Sequence, residues 1–313
     1  MTGKKRPSVL IKVLFAFLAL ACLFPFVTGP FALLGGFIFV LFLGNPFAKR
    51  NHNAVSWLLK ISVIGLGFGM NLHETIKVGK DGLLLTVVSL VLVLVLGFLI
   101  GRFLKIQRKT SHLISSGTAI CGGSAIAAIA PVIDASEKDI SISLGVIFLL
   151  NSVALLAFPS IGHLLDLSQY QFGLWSAVAI HDTSSVVGAA VEYGDEAVKV
   201  ATTVKLSRAL WIIPLSILSA FLFKGKDKTV KIPWFILLFV LAILVNSYFS
   251  LPTNFTSSIT VGSKSLLVLT LFLVGAGLSI EKIKSAGWKP MFLGLSLWTI
   301  VSIVSLLMIL SFS

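Results

Sequence analysis

Apolar residues run along this chain in eleven long stretches that short polar segments separate. In chain order the stretches are Val9 to Phe24, Gly29 to Leu43, Ala54 to Leu72, Gly82 to Phe103, Ser111 to Ile133, Ile140 to Leu164, Tyr170 to Tyr193, Val198 to Phe223, Pro233 to Phe249, Ile259 to Ile280 and Ala286 to Phe312. Most of them match the roughly 20 residues that an α-helix needs to cross a bilayer. The pattern predicts an all-α integral membrane protein with about eleven transmembrane helices, forming one polytopic domain over residues 1–313.

The amino-acid composition also indicates a membrane protein. Of the 313 residues, 57% are hydrophobic and 12% charged, and the mean hydropathy is +1.02. A soluble domain carries roughly 25% charged residues and could not bury this much apolar surface. Cys22 and Cys121 both lie in apolar stretches, so neither a disulfide framework nor a metal site built from them is expected. No cofactor is expected either.

The basic residues follow the topology of a membrane protein. The net charge of +13 does not indicate nucleic-acid binding, because these residues lie in short loops between apolar stretches. If the N-terminus is cytoplasmic, seventeen lysines and arginines fall in cytoplasmic segments and four, Lys77, Lys80, Lys138 and Lys199, fall outside. Cytoplasmic loops carry the excess of basic residues, so the N-terminus is predicted inside and the C-terminus outside. The loops are too short for a soluble enzyme domain.

A few charged residues remain inside the apolar stretches. Two lysines near segment ends can extend to the interface. Lys205 and Arg208, however, lie roughly 10 to 15 Å into their stretch, and Asp182, beside His181, lies about 18 Å into its own. A charge at that depth costs about 3 kcal/mol and usually marks a pathway or a binding site. Lys205 and Arg208 are three residues apart and share a helix face, so they can meet Asp182. A structural ion pair of Asp182 with one of them is the alternative.

Two stretches contain a polar or glycine-rich break halfway along. The break residues are Cys121, Gly122, Gly123 and Ser124 in the first stretch and His181, Asp182, Thr183, Ser184 and Ser185 in the second. Glycines weaken a helix and serine is a good N-cap, so a fresh half-helix is expected to begin at each break, with Ser124 as the candidate cap. Free amide groups at such helix N-termini bind anions. We expect the two breaks to face each other across a cavity near the middle of the bilayer.

The chain also resembles itself. Ile64 to Leu72 is similar to Phe272 to Ile280 at an offset of 208 residues. These stretches are seven crossings apart and run in opposite directions, which predicts an inverted repeat relating the regions around 54–104 and 259–312. A second similarity, between the two breaks at an offset of sixty residues, does not fit the same repeat.

Three runs carry a resemblance to a known family. The runs Gly117 to Ile126, Ile180 to Ala189 and Lys205 to Trp211 resemble, in order and spacing, the signature stretches of the YeiH family of proposed sulfate exporters. The likeness extends over nearly the whole chain. It implies a bacterial inner-membrane transporter, distantly similar in fold to sodium/proton antiporters and bile-acid symporters, which have crossed, broken helices.

Together these observations lead to the hypothesis of a secondary transporter for a small anion. The half-helix N-termini and the hydroxyls of Ser124, Thr183, Ser184 and Ser185 would supply hydrogen bonds, and Lys205 and Arg208 would supply charge. Export of sulfate, or of a sulfonate, ranks first on the resemblance alone. The hydroxyl groups suit a short carboxylate equally well.

The same residues suggest two other classes of protein. An intramembrane hydrolase would need Ser184 or Ser185 with His181 and Asp182, but adjacent residues cannot easily orient one another and no GxSxG elbow is present. A monovalent cation/proton antiporter would use Asp182 as its exchanging carboxylate, yet this core holds more basic than acidic residues. An enzyme is therefore not expected.

Charge counting suggests how transport is coupled. Lys205, Arg208 and an ionised Asp182 sum to +1, and protonation of Asp182 makes the sum +2, which a dianion would neutralise. H+ is therefore a candidate coupling ion, with His181 as a second proton carrier, and Na+ is the other candidate. The direction of transport and the oligomeric state, including a homodimer, stay open.

Overall fold

The computed structural model describes residues 9–24, 26–223, 234–249, 251–277 and 287–311, and within these ranges every regular element is a helix. The helices are α1 Val9–Ala21, α2 Gly29–Leu43, α3 Ala48–Gly67, α4 Leu72–Phe103, α5 Arg108–Ala119, α6 Gly123–Val132, α7 Glu137–Leu164, α8 Gln169–Ala179, α9 Thr183–Tyr193, α10 Asp195–Ala209, α11 Ile212–Phe223, α12 Trp234–Tyr248, α13 Thr253–Gly277 and α14 Trp288–Ser311.

Helix length and composition agree with a membrane protein. In the described part of the chain, five helical spans are long and apolar enough to cross a membrane, and several shorter apolar helices accompany them. The five spans are Leu72–Phe103, Glu137–Leu164, Asp195–Phe223, Thr253–Gly277 and Trp288–Ser311. The prediction of an all-helical membrane protein is thereby confirmed, whereas eleven crossings and an inverted repeat stay predictions.

Many of the basic residues that predict the topology lie outside the described residues. Lys4, Lys5 and Arg6 lie there, as do the basic residues within 224–233 and the segment 278–286 with the end of the predicted repeat. The predicted sidedness of the protein therefore also stays a prediction.

Two observed helices differ from the hydropathy pattern. Helix α4 begins ten residues before the apolar stretch that starts at Gly82, because the side chain of Asn71 caps it by accepting a hydrogen bond from the His73 amide. The apolar stretch from Val198 to Phe223 is interrupted at Leu210 and Trp211, between α10 and α11. Pro214 lacks the N–H that would bond to the Leu210 carbonyl, so the helical bonding cannot continue unchanged through this point.

The chain folds as two compact units. The first contains α1 to α3, most of α12, and α13. In it α13 packs against α2, with Gly36 facing the Phe272 carbonyl and Gly275 facing the Leu33 carbonyl. A Cβ atom at either glycine would overlap the opposing backbone, so the two helices approach closely only because both positions are glycine.

The second unit contains α4 to α11 and α14 and holds all the predicted site residues. Helix α10 packs against α8, α9 and α4, and α5 packs against α4 and α7. The Phe172 ring of α8 stacks on the Tyr193 ring of α9 with centroids 3.8 Å apart, and the Trp175 indole nitrogen donates to the Ser302 carbonyl of α14 at 2.9 Å. These contacts hold α8 and α9 in fixed positions within the unit.

Candidate functional site

The first interruption separates α5 from α6 at Ile120, Cys121 and Gly122. Gly122 has φ +65° and ψ −124°, a backbone conformation that side-chain-bearing residues rarely adopt. Its N–H donates back to the Gly117 carbonyl at 2.8 Å, and its carbonyl accepts from the Ile126 amide at 3.2 Å. Gly122 therefore ends one half-helix and begins the next.

Ser124 does not have the predicted capping role. The residue at the N-cap position of α6 is Gly122, and Ser124 is the second residue of the helix, with an exposed side chain. The positive φ of Gly122 sets the start of α6, so no side-chain cap is needed to turn the chain. Cys121 is fully buried, and Gly123 is half-buried at the first helical position.

The second interruption separates α8 from α9 at Ile180, His181 and Asp182. Ile180 and Asp182 are extended, and Asp182 is the N-cap of α9. The Asp182 carboxylate accepts a hydrogen bond from the Ser185 amide at 3.4 Å and another from the Ser184 hydroxyl. Thr183, Ser184 and Ser185 are all buried in the first turn of the helix. The sequence predicts a helix cap among these polar residues, and the group that caps α9 is the Asp182 carboxylate.

The two interruptions lie against each other. A Cβ atom built on Gly122 would be 3.4 Å from both the amide nitrogen and the Cα of Asp182, and 3.2 Å from Cγ2 of Ile147 on α7. The Asp182 distances are ordinary van der Waals contacts, so the positive φ of Gly122 is what favours glycine at this position. The N-terminal ends of α6 and α9 are therefore neighbours, and the cavity expected between them stays a prediction.

Lys205 and Arg208 reach the same region from α10, and both side chains are completely buried. The Lys205 ammonium donates to the carbonyls of Ile180 at 2.7 Å and Ala177 at 3.2 Å. The Arg208 guanidinium donates to the carbonyl of Ala119 at 2.5 Å and, at 3.5 Å, to that of Ala177. These carbonyls lie at the C-terminal ends of α5 and α8, where the helix dipole is negative.

Charge in this region therefore follows the helix dipoles. The anionic Asp182 lies at the positive end of α9, and the two cations lie at the negative ends of α5 and α8. The hydrogen bonds of the Asp182 carboxylate are with Ser184 and Ser185, and those of the two cations are with backbone carbonyls. The described residues therefore do not form the alternative that the sequence left open, a direct ion pair of Asp182 with Lys205 or Arg208.

Asn151 of α7 is a further member of the site that the sequence analysis missed. Its Oδ1 accepts hydrogen bonds from two consecutive backbone amides of the second interruption, His181 at 3.0 Å and Asp182 at 3.2 Å. The side chain is 3% exposed. A lone carboxamide inside the apolar stretch from Ile140 to Leu164 is the signal that could have found it, since a buried amide needs partners.

Several buried polar atoms around the interruptions have no partner among the described residues. They are both ring nitrogens of His181, Nδ2 of Asn151, Nε of Arg208 and Oγ1 of Thr118. Buried polar groups in proteins are nearly always hydrogen-bonded, to water or a ligand where protein partners are lacking. These atoms are therefore candidates to bond to water or to a small polar ligand. Within the described ranges, no group of three or more His, Cys, Asp or Glu side chains could hold a metal ion.

The chain is thus an all-helical membrane protein in which two interrupted helices meet. The sequence model of the family described as conserved hypothetical protein 698 matches residues 12–294. The chain belongs to this family, which is the YeiH or UPF0324 family.

Relatives match over almost their full length. A UPF0324 membrane protein of Bacteroides thetaiotaomicron is 50% identical over 90% of this chain and 86% of its own length. One of Photobacterium profundum is 50% identical over 95% of this chain and 91% of its own length, and one of Shewanella oneidensis is 47% identical over 96% and 95%. No solved structure matches the chain at a significant level.

Proposed function

We propose that this protein is a secondary transporter that carries a small anion, with sulfate or a sulfonate as the first candidate, out across the inner membrane. The main support for this proposal is that the two helix interruptions are in contact at Gly122 and Asp182. Irregular backbone inside a membrane protein occurs where it is buried in protein or lines a cavity, and interrupted helices form the substrate sites of many secondary transporters.

The local charges favour an anion. The N-terminal ends of α6 and α9 present backbone amides and the positive ends of two helix dipoles. Lys205, Arg208 and an ionised Asp182 together add a charge of +1. The cations bond to carbonyls, so in this proposal they act on the anion through their field, which is weakly screened in a buried region.

The choice among anions rests on the family resemblance, which puts sulfate first. A short carboxylate would use the same amides and hydroxyls, so it is the competing substrate. We further propose, from the distribution of basic residues, that the N-terminus is cytoplasmic.

The test is transport of labelled sulfate by purified protein in liposomes, with and without sodium or proton gradients. We expect sulfate to move in the wild type, and a Lys205→Ala, Arg208→Ala double variant to lose this activity. Lys199→Ala is the matched control, since Lys199 lies on the same helix but is exposed. Because the double variant also frees helix-end carbonyls, its folding is checked by thermal unfolding. A folded double variant that binds sulfate as well as the wild type would exclude this site.

One observation favours a second candidate, exchange of a monovalent cation for protons. Asp182 is half-buried, whereas Lys205 and Arg208 are completely buried, so the carboxylate is the ionic group more open to a small ion. Asp182→Asn separates the two functions. An anion transporter coupled to protons should keep sulfate binding in this variant and lose its pH dependence, because asparagine mimics the protonated acid. A cation exchanger should lose transport, and its wild type should respond to sodium or potassium without sulfate.

A further inference from the structure

Asn151 holds the second interruption in place through one half of its carboxamide. Its Oδ1 accepts from the amides of His181 and Asp182, two consecutive residues in extended or irregular conformation. These amides cannot take part in the bonding of α8, because that helix has ended at Ala179. The oxygen of Asn151 thus replaces the missing helical acceptors.

The same two bonds determine the orientation of the carboxamide. Both partners are N–H donors, so the oxygen and not the nitrogen must face them. The two N–H bonds of Nδ2 then point away from the backbone of the interruption. Nδ2 is buried and has no hydrogen-bond partner in the described part of the chain.

The face of α7 that carries Asn151 also borders the start of α6. A Cβ on Gly123 would lie 3.4 Å from Leu144 Cδ2 and 3.3 Å from Phe148 Cζ, and one on Gly122 would lie 3.2 Å from Ile147 Cγ2. Leu144, Ile147, Phe148 and Asn151 have the i, i+3, i+4, i+7 spacing of one helix face. This face therefore touches both half-helix starts, and Asn151 is its polar member.

We propose that Asn151 Nδ2 is a hydrogen-bond donor to the transported anion, acting together with the amides at the starts of α6 and α9. This inference rests on the proposed anion transport at the same site. Since Nδ2 can only donate, it favours an anion oxygen that carries no proton. A site built to hydrogen-bond its substrate discriminates through groups that a wrong ligand would leave unpaired.

The substitution Asn151→Asp separates binding from support of the backbone. A carboxylate keeps an acceptor for the amides of His181 and Asp182, so the interruption should persist and the protein should fold. It removes both N–H donors, so we expect sulfate affinity to fall at least tenfold. Ser152→Asp, on the same helix, controls for the added charge. A folded Asn151→Asp variant that binds sulfate as tightly as the wild type would overturn the proposal.

A measurement on the wild type keeps the proposal testable should Asn151→Asp not fold. The protein is labelled with 15N-asparagine and the side-chain amide signals are recorded by NMR. The Asn151 signal is identified because it is missing from a folded variant that lacks this residue, or by labelling that position alone. We expect it to shift as sulfate is added, with the same concentration dependence as binding. A signal that stays unchanged while sulfate binds would refute the role of Asn151 and leave the transporter proposal intact. If the wild type binds neither sulfate nor another small oxyanion, the proposed function itself fails.

Discussion

Gly122 offers the sharpest test of the interrupted-helix geometry, through the substitution Gly122→Ala. At φ +65° and ψ −124° an alanine would be held in a strained conformation, which costs about 1 to 3 kcal/mol. The new methyl group would also lie 3.2 Å from Ile147 Cγ2 and 3.4 Å from the Asp182 backbone, closer than most real Cβ contacts in the first case. Relief would require the Ile147 side chain to shift and the backbone at position 122 to leave its present conformation.

The neighbouring glycine is a matched control. Gly123 has no positive φ and begins α6, and a Cβ there would meet only the ends of the Phe148 and Leu144 side chains at 3.3 to 3.5 Å. Alanine is a better helix former than glycine by up to about 1 kcal/mol. Gly123→Ala should therefore be as stable as the wild type or slightly more stable.

The assay is thermal unfolding in detergent, followed by the reaction of a thiol-specific dye with Cys22 and Cys121, both of which are buried in the folded protein. A loss of 1 kcal/mol lowers the melting temperature of a unit of roughly 200 residues by about 2 to 4 °C, so Gly122→Ala should melt about 2 to 12 °C lower. If Gly122→Ala and Gly123→Ala unfold at the same temperature as the wild type, the assigned conformation of Gly122 is wrong.

Two further substitutions test the frame around the site by the same assay. Tyr193→Phe removes the hydrogen bond from the hydroxyl to the Leu167 carbonyl at 2.6 Å but keeps the ring stacking, so stability should fall by about 1 kcal/mol with sulfate binding unchanged. Ser136→Ala removes the cap of α7, in which the hydroxyl accepts from the Asp139 amide at 3.2 Å, and should cost about 0.5 to 2 kcal/mol. Stability equal to the wild type in either variant would show that the corresponding bond contributes nothing to the folded state.

Much of the local structure could be predicted from the sequence, because the signals are local. Long apolar stretches must form helices in a bilayer, where backbone groups have no water to bond with. The Gly-Gly pair at 122–123 and the run from His181 to Ser185 disfavour continuous helix, and the structure interrupts both helices there. The pattern led us to expect that the two interruptions face each other across a cavity, but their direct contact could not be predicted from it.

The roles of individual side chains could not be predicted in the same way. Ser124 has good capping chemistry, yet the backbone of Gly122 starts α6 without it. Lys205 and Arg208 have the charge that an anion needs, yet their donors bond to carbonyls of α5 and α8, which lie 25 to 89 residues away in the chain. Which acceptor a long side chain reaches depends on distances across the packed helices, and hydropathy carries no information on these.

The sequence alone therefore determined the helical class, the places where two helices break and the set of buried charges, since each depends on the chemistry of neighbouring residues. Only the tertiary structure decided that Gly122 lies against Asp182, that the cations neutralise helix C-termini, and that Asn151 supports the second interruption. These contacts join residues that are far apart in the chain, so they arise from the close packing of whole helices and from the need of every buried polar group for a partner.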